Sequence, residues 1–185
     1  MRQFASTLVV LALSITASAQ SINDAIKKVE ATFEPADARP GQTVTVKITV
    51  QLADGYHTYP VNQLADEAKF SANKITFPSD GTVVYVGETV DPVSPHTKKV
   101  KEGMETYELQ YYPGGGTWIR KAVVLPSAKA GAATSKIKVR LLVCDADNCF
   151  PPKTFDVEAA LKVLEGPAVE VEKKYRDAVE KAAKR

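Results

Sequence analysis

Over Thr43–Leu52 every second residue is apolar: Val44, Val46, Ile48, Val50 and Leu52 alternate with Thr43, Thr45, Lys47, Thr49 and Gln51. A period of two places the apolar set on one face of an extended chain, so this segment predicts a strand in a sheet with one wet face. Pro40-Gly41 before it and Asp54-Gly55 after it supply turns. Shorter runs predict further strands at Val29–Phe33, Tyr56–Tyr59, Lys74–Phe77, Thr82–Val86, Glu105–Tyr112, Trp118–Leu125, Lys136–Cys144 and Cys149–Val157. Short strands, Gly and Pro turns and almost no helical periodicity predict an all-β fold, an antiparallel β-sandwich. Ala128–Ser135, small and polar, is expected to be a surface loop, and Gly114-Gly115-Gly116 a flexible turn between strands.

After Gly166-Pro167 the period changes. Val171, Tyr175, Ala178, Val179 and Ala182 fall at helical spacing and form a narrow apolar stripe. Glu170–Lys174, Glu172–Arg176, Asp177–Lys181 and Glu180–Lys184 are opposite charges four apart, with the acid first as helices prefer. A C-terminal α-helix is therefore expected over 168–184, packed on the sandwich or solvated rather than engaged with a partner.

The N-terminus has a different character. Arg2, an apolar run from Phe4 to Ile15 and then Ala17-Ser18-Ala19 have the layout of a secretory signal peptide, and the run is too short to span a membrane. The expected organisation is a signal peptide at 1–19, a sandwich domain at 20–165 and a helical appendage at 166–185, with no membrane insertion once the signal is cleaved. Removing Arg2 leaves 23 of the 24 basic residues against 22 acidic ones, so charge gives no argument for nucleic acid or an anionic surface. A processed chain of about 166 residues can build a full core without a disulfide.

The chain has two cysteines, Cys144 and Cys149, separated by Asp145-Ala146-Asp147-Asn148 and followed by Phe150-Pro151-Pro152. Four intervening residues of this kind suit a hairpin loop, and facing residues on antiparallel strands come close enough for a disulfide. Ile137, Val139, Leu141 and Val143 share one face of the preceding strand, while Lys136, Lys138, Arg140, Leu142 and Cys144 share the other. By this parity Cys144 points away from the main core, toward an accessible but shielded site. Asp145 and Asp147 place negative charge beside the pair, which disfavours a thiolate.

Two elements together carry a family resemblance. One is the cysteine strand with its short loop, second cysteine and Pro151-Pro152; the other is Asp54-Gly55-Tyr56-His57-Thr58-Tyr59 after a strongly alternating strand. The chain from about Val29 to Val163 resembles the N-terminal periplasmic domain of the thiol:disulfide interchange protein DsbD. That resemblance implies an immunoglobulin-like sandwich whose Cys144/Cys149 pair cycles between dithiol and disulfide. It implies a periplasmic location and partners that are thioredoxin-like or DsbD-type membrane thiol-redox proteins. It places Cys149 as the sulfur joined to the partner in a mixed disulfide, and Tyr56 and Tyr59 near the pair. Family members shield the cysteines with a cap loop; the matching region here is about 95–107, with Met104 or Tyr107 in place of an aromatic tip. DsbD continues into further domains, so a separate electron donor is expected.

No resident cofactor is expected. His57, His96 and Met104 lack close metal-ligand spacing, and Asp145-x-Asp147-Asn148 lacks the Gly and distal Glu of a calcium loop. A thiol–disulfide exchange domain is the leading expectation. The alternative is a binding sandwich with a structural disulfide, which would make the chain no enzyme at all.

Overall fold

The computed structural model describes residues 21–184, so the expected signal peptide at 1–19 lies outside the described residues. A short helix α1 (Ile22–Ala25), capped by Ser21, leads into β1 (Ile26–Glu34), β2 (Asp37–Ala38), β3 (Thr43–Leu52) and β4 (His57–Thr58). A 3-10 segment, Asp66–Ser71, precedes β5 (Lys74–Thr76) and β6 (Val83–Val90). A hairpin of β7 (His96–Glu102) and β8 (Glu105–Pro113) follows, then β9 (Gly115–Val124) and β10 (Gly131–Leu141). β11 (Val143–Cys144), β12 (Lys153–Val163) and α2 (Arg176–Ala183) complete the order.

The strands form an immunoglobulin-like antiparallel sandwich. One sheet has the order β1-β3-β9-β6 and the opposing one β2-β12-β10-β5; among the described residues only the short β2–β12 pair is parallel. The alternation in β3 delivers Val44, Val46, Ile48, Val50 and Leu52 to the core, all at 4% exposure or less. Ile137, Val139 and Leu141 from β10 and Ala159, Leu161 and Val163 from β12 meet them from the other sheet. Trp118 is the largest side chain sealed in this core, edge-on to Tyr112, and its Nε1–H donates to Asp91 Oδ1 at 2.7 Å.

A third sheet, β11-β4-β8-β7, carries a second apolar cluster. β11 continues β10 after a break at Leu142, leaves the sandwich sheet and pairs with β4 instead. This sheet is what positions the cysteines.

Several elements differ from the sequence expectation. Residues 131–135 extend β10 rather than forming a loop, because Gly131 to Ser135 pair in register with Val163 to Ala159. Gly115 and Gly116 lie inside β9, not in a turn: Gly115, at φ +99°, passes so close to the Val50 carbonyl that any Cβ would collide with it. The C-terminal helix begins at Arg176, not 168, because the Val169 N–H is committed to Pro40 O at 2.8 Å and holds the preceding segment against the sandwich. The charged side chains there pair as Arg176–Glu170 and Lys174–Glu172 rather than at the four-residue spacing. Val179 anchors α2 on Val86 and Val123, so the helix packs on the sandwich.

Candidate functional site: the Cys144–Cys149 disulfide and its aromatic face

Register builds the site. β11 and β4 pair Cys144 with His57 and Val143 with Thr58, so Cys144, His57 and, two residues on, Tyr59 project from one face of the third sheet. β4 pairs His57 with Pro113 of β8, which places Tyr107, Leu109 and Tyr111 on that same face. β7 pairs His96 with Tyr111 and Lys98 with Leu109, adding a second histidine and a lysine at its rim. Tyr59, Tyr107, Leu109, Leu142 and Cys144 bury one another there, with Ala68 of the 3-10 segment laid over them. The opposite parity sends Val143 and Tyr112 into the main core.

The two cysteines are disulfide-bonded, face each other as an antiparallel bridge, and have Cα atoms 4.0 Å apart. They differ sharply in environment. Cys144 is 2% exposed, whereas Cys149 is on the surface. The parity argument therefore holds in that Cys144 avoids the main core, and fails in that its site is closed: the exposed cysteine of the pair is Cys149. The missing information was the cover, since nothing in the strand's own pattern shows that Ala68 and Tyr107 will close over it.

The loop between them is ordered by Asp145. Its Oδ1 accepts the N–H groups of Asp147 at 2.8 Å and Asn148 at 2.7 Å, while the Asp145 N–H donates to Asn148 O. Those backbone hydrogen bonds hold the Asp145 carboxyl below the usual range. Its charge is thus spent on the turn as well as set against the sulfurs.

Tyr59 is the residue that touches the buried sulfur. Its hydroxyl donates to Cys144 Sγ at 3.1 Å and lies 3.2 Å from His57 Nε2. Burial pushes the Tyr59 phenol up, with the neighbouring Tyr107 adding to the effect, so it stays a neutral donor. His57 sits edge-on between Tyr59 and Tyr111, with ring centroids 5.5 and 5.0 Å away, and His96 packs against Tyr111 at 5.5 Å. Burial first and Lys98 second lower the His57 pKa, and Asp145 works against them.

Tyr56 is not part of this aromatic face: it lies tilted on Phe150, the residue after Cys149, at 5.9 Å and packs on the main core. Tyr107 is 8% exposed and walls Cys144, whereas Met104, at the tip of the β7–β8 hairpin, is fully exposed and covers nothing. The region expected to be a cap loop is thus largely a regular hairpin. Among the described residues, no three His, Cys, Asp or Glu side chains converge to hold a metal ion.

Sequence reasoning missed the polar bracket beneath this face. Asn73, 3% exposed, donates from Nδ2 to Tyr59 O at 2.5 Å and Thr58 Oγ1 at 2.9 Å, while its Oδ1 accepts Leu142 N–H at 3.0 Å. Thr58 Oγ1 in turn donates to Leu142 O at 2.8 Å. This bracket ties the residues before Cys144 to those before Tyr59. An Asn just ahead of a strand resembles any turn residue, so no local signal marks it.

Among solved structures, the chain is similar to the N-terminal periplasmic domain of ScsB from Proteus mirabilis, at 20% identity and TM-score 0.49, over 90% of this chain and 56% of that one. It is also similar to the reduced N-terminal domain of Neisseria meningitidis DsbD, at 15% identity and TM-score 0.34, over 80% and 91% respectively. The chain thus spans little more than half of the ScsB structure, and both likenesses are too distant to carry an argument about chemistry. No curated protein matches the sequence. Residues 23–160, well over half of the chain, match the family described as thiol:disulfide interchange protein DsbD, N-terminal, and the chain belongs to that family.

Proposed function

We propose that this protein is an exported thiol–disulfide exchange domain, working in the periplasm through Cys149 and Cys144 with thioredoxin-like or DsbD-type membrane thiol-redox proteins. The observation that carries this is the opposite burial of two bonded cysteines: Cys149 is exposed, and Cys144 is sealed beside a hydrogen-bond donor. Exchange needs one sulfur that a partner can reach and one that can leave and return. A partner thiolate attacks Cys149 Sγ, the Cys144–Cys149 bond breaks, and its electron pair departs on Cys144. The Tyr59 hydroxyl then faces the new thiolate, and a hydrogen bond to a charged sulfur is stronger than one to a disulfide. In the other direction Cys149 attacks a partner disulfide and Cys144 resolves the mixed disulfide. Met104 and the exposed rim of the β7–β8 hairpin lie available to a docking partner rather than over the sulfurs.

A Cys144→Ser variant tests this. It should accumulate a mixed disulfide with a thioredoxin-like partner through Cys149, visible as a reductant-sensitive band, while Cys149→Ser should not. The reverse pattern, or no trapping by either variant, would overturn the proposal. Burial of Cys144 is also what a structural staple would show. Under that alternative neither variant traps a partner.

A further inference from the structure

We propose that His57, acting through the Tyr59 hydroxyl, receives the proton of Cys144 when that buried thiol resolves a mixed disulfide at Cys149, and returns it in the reverse direction. The inference rests on the exchange function proposed above and deepens it.

The problem it solves is set by burial. Cys144 must lose a proton to become a nucleophile, yet it is 2% exposed and water cannot collect that proton directly. Among the described residues, the hydroxyl of Tyr59 is the polar side-chain group within hydrogen-bond distance of its sulfur. Tyr59 cannot keep the proton, because a doubly protonated phenol oxygen is a strong acid and its buried site disfavours charge, so it can only pass one on. The next group in line is His57 Nε2, 3.2 Å from the same hydroxyl. His57 is half-buried and reaches the rim, so it can exchange with solvent.

The hydrogen-bond directions fit both redox states. With the disulfide formed, the Tyr59 hydrogen points at Cys144 Sγ, so its oxygen accepts from Nε2–H of His57. With Cys144 reduced, its S–H can donate to Tyr59 and the Tyr59 hydrogen turns to an unprotonated Nε2. In the resolving step, the S–H proton moves to the Tyr59 oxygen as the Tyr59 proton moves to Nε2. The sulfur's electron pair forms the bond to Cys149 Sγ, the Cys149–partner bond breaks, and its pair leaves on the partner's sulfur as thiolate. The cysteine pair is oxidised by two electrons, the partner is reduced by two, and the proton rests on the imidazolium.

The groups facing His57 suit a base. Tyr59 just after β4 and Tyr111 from β8 flank it, Lys98 and, beyond Tyr111, His96 approach from β7, and Asp145 approaches from the cysteine loop. Burial and Lys98 outweigh Asp145, so His57 is neutral and able to accept at neutral pH. Tyr59 touches the reacting sulfur and is the catalytic residue of the pair; His57 acts through it as a positioning residue.

The test is stopped-flow mixing of the reduced protein with 5,5′-dithiobis(2-nitrobenzoate). A first nitrothiobenzoate release reports attack by exposed Cys149, and a second reports resolution by Cys144. His57→Gln should slow the second phase relative to the first by about 100-fold at neutral pH, the scale of a lost proton-transfer group. The wild-type second phase should show an inflection below about 6.5, the ordinary imidazole value, that is absent in the variant. His57→Ala should recover part of the rate with added imidazole, and Tyr59→Phe should match the His57→Gln/Tyr59→Phe double variant. Superimposable second-phase pH profiles for wild type and His57→Gln would overturn the relay while leaving exchange standing. A wild-type protein with no second phase would overturn both.

Discussion

The Tyr59 hydroxyl points at the sulfur of Cys144, 3.1 Å away, from just beyond the strand that pairs His57 with that same cysteine. The contact gives the buried sulfur a partner that strengthens as negative charge develops on it. Tyr59→Phe removes one such hydrogen bond, worth about 1.5 kcal/mol when one group is charged. Reduction of the disulfide by dithiothreitol should therefore slow by roughly tenfold. An unchanged rate would show that the departing sulfur draws nothing from Tyr59.

Asn73 should matter more for stability than its position ahead of a three-residue strand suggests. Asn73→Ala strips hydrogen bonds from the Tyr59 carbonyl and the Leu142 N–H, both buried. Leaving such groups unsatisfied costs about 2–4 kcal/mol in total. Urea unfolding should show that loss, and the Leu142 amide should exchange with solvent markedly faster.

His57 also predicts how stability responds to pH. Its folded pKa is lowered, chiefly by burial, so the unfolded chain binds a proton more readily. Stability from this group is full above the unfolded value, about 6.5, and falls as pH drops from there toward the folded value. The urea midpoint should decline between neutral pH and pH 5, and His57→Phe should flatten that part of the profile. An equal decline in the variant would assign the effect to other groups.

Val179 is the anchor of the C-terminal helix, 4% exposed against Val86 and Val123. Val179→Ala should cost about 1–3 kcal/mol through lost burial and the cavity left behind. Because α2 packs on β6, away from the third sheet, the rate of disulfide reduction should not change.

The contrast between β3 and β7 shows what the sequence could reveal. β3 alternates because one of its faces is core, so its ten residues announce themselves. β7, from His96 to Glu102, is an edge strand exposed along nearly its whole length, so no apolar period marks it. The other three strands of the third sheet fall in segments that read as strands, but without β7 nothing marked them as a separate sheet that carries the site. The cysteines, their loop and the family were legible from local motifs, and so was the parity that turns Cys144 from the main core. Its burial was not, because the cover comes from Ala68 and Tyr107, far away in sequence. His57 stood out in sequence as a member of the Asp54–Tyr59 motif and as a weak metal ligand, with no role assigned; its tie to Tyr59 and Cys144 depends on a strand pairing that spans 87 residues in sequence, from His57 to Cys144.

The most direct test of the account is the reduction potential of the Cys144–Cys149 bond, measured by equilibration in glutathione redox buffers. An exchange pair with one exposed sulfur predicts a value clearly above about −300 mV, within reach of thioredoxin-like partners. A value below that, with the bond untouched by such partners, would contradict the account and make the disulfide a staple in a binding sandwich.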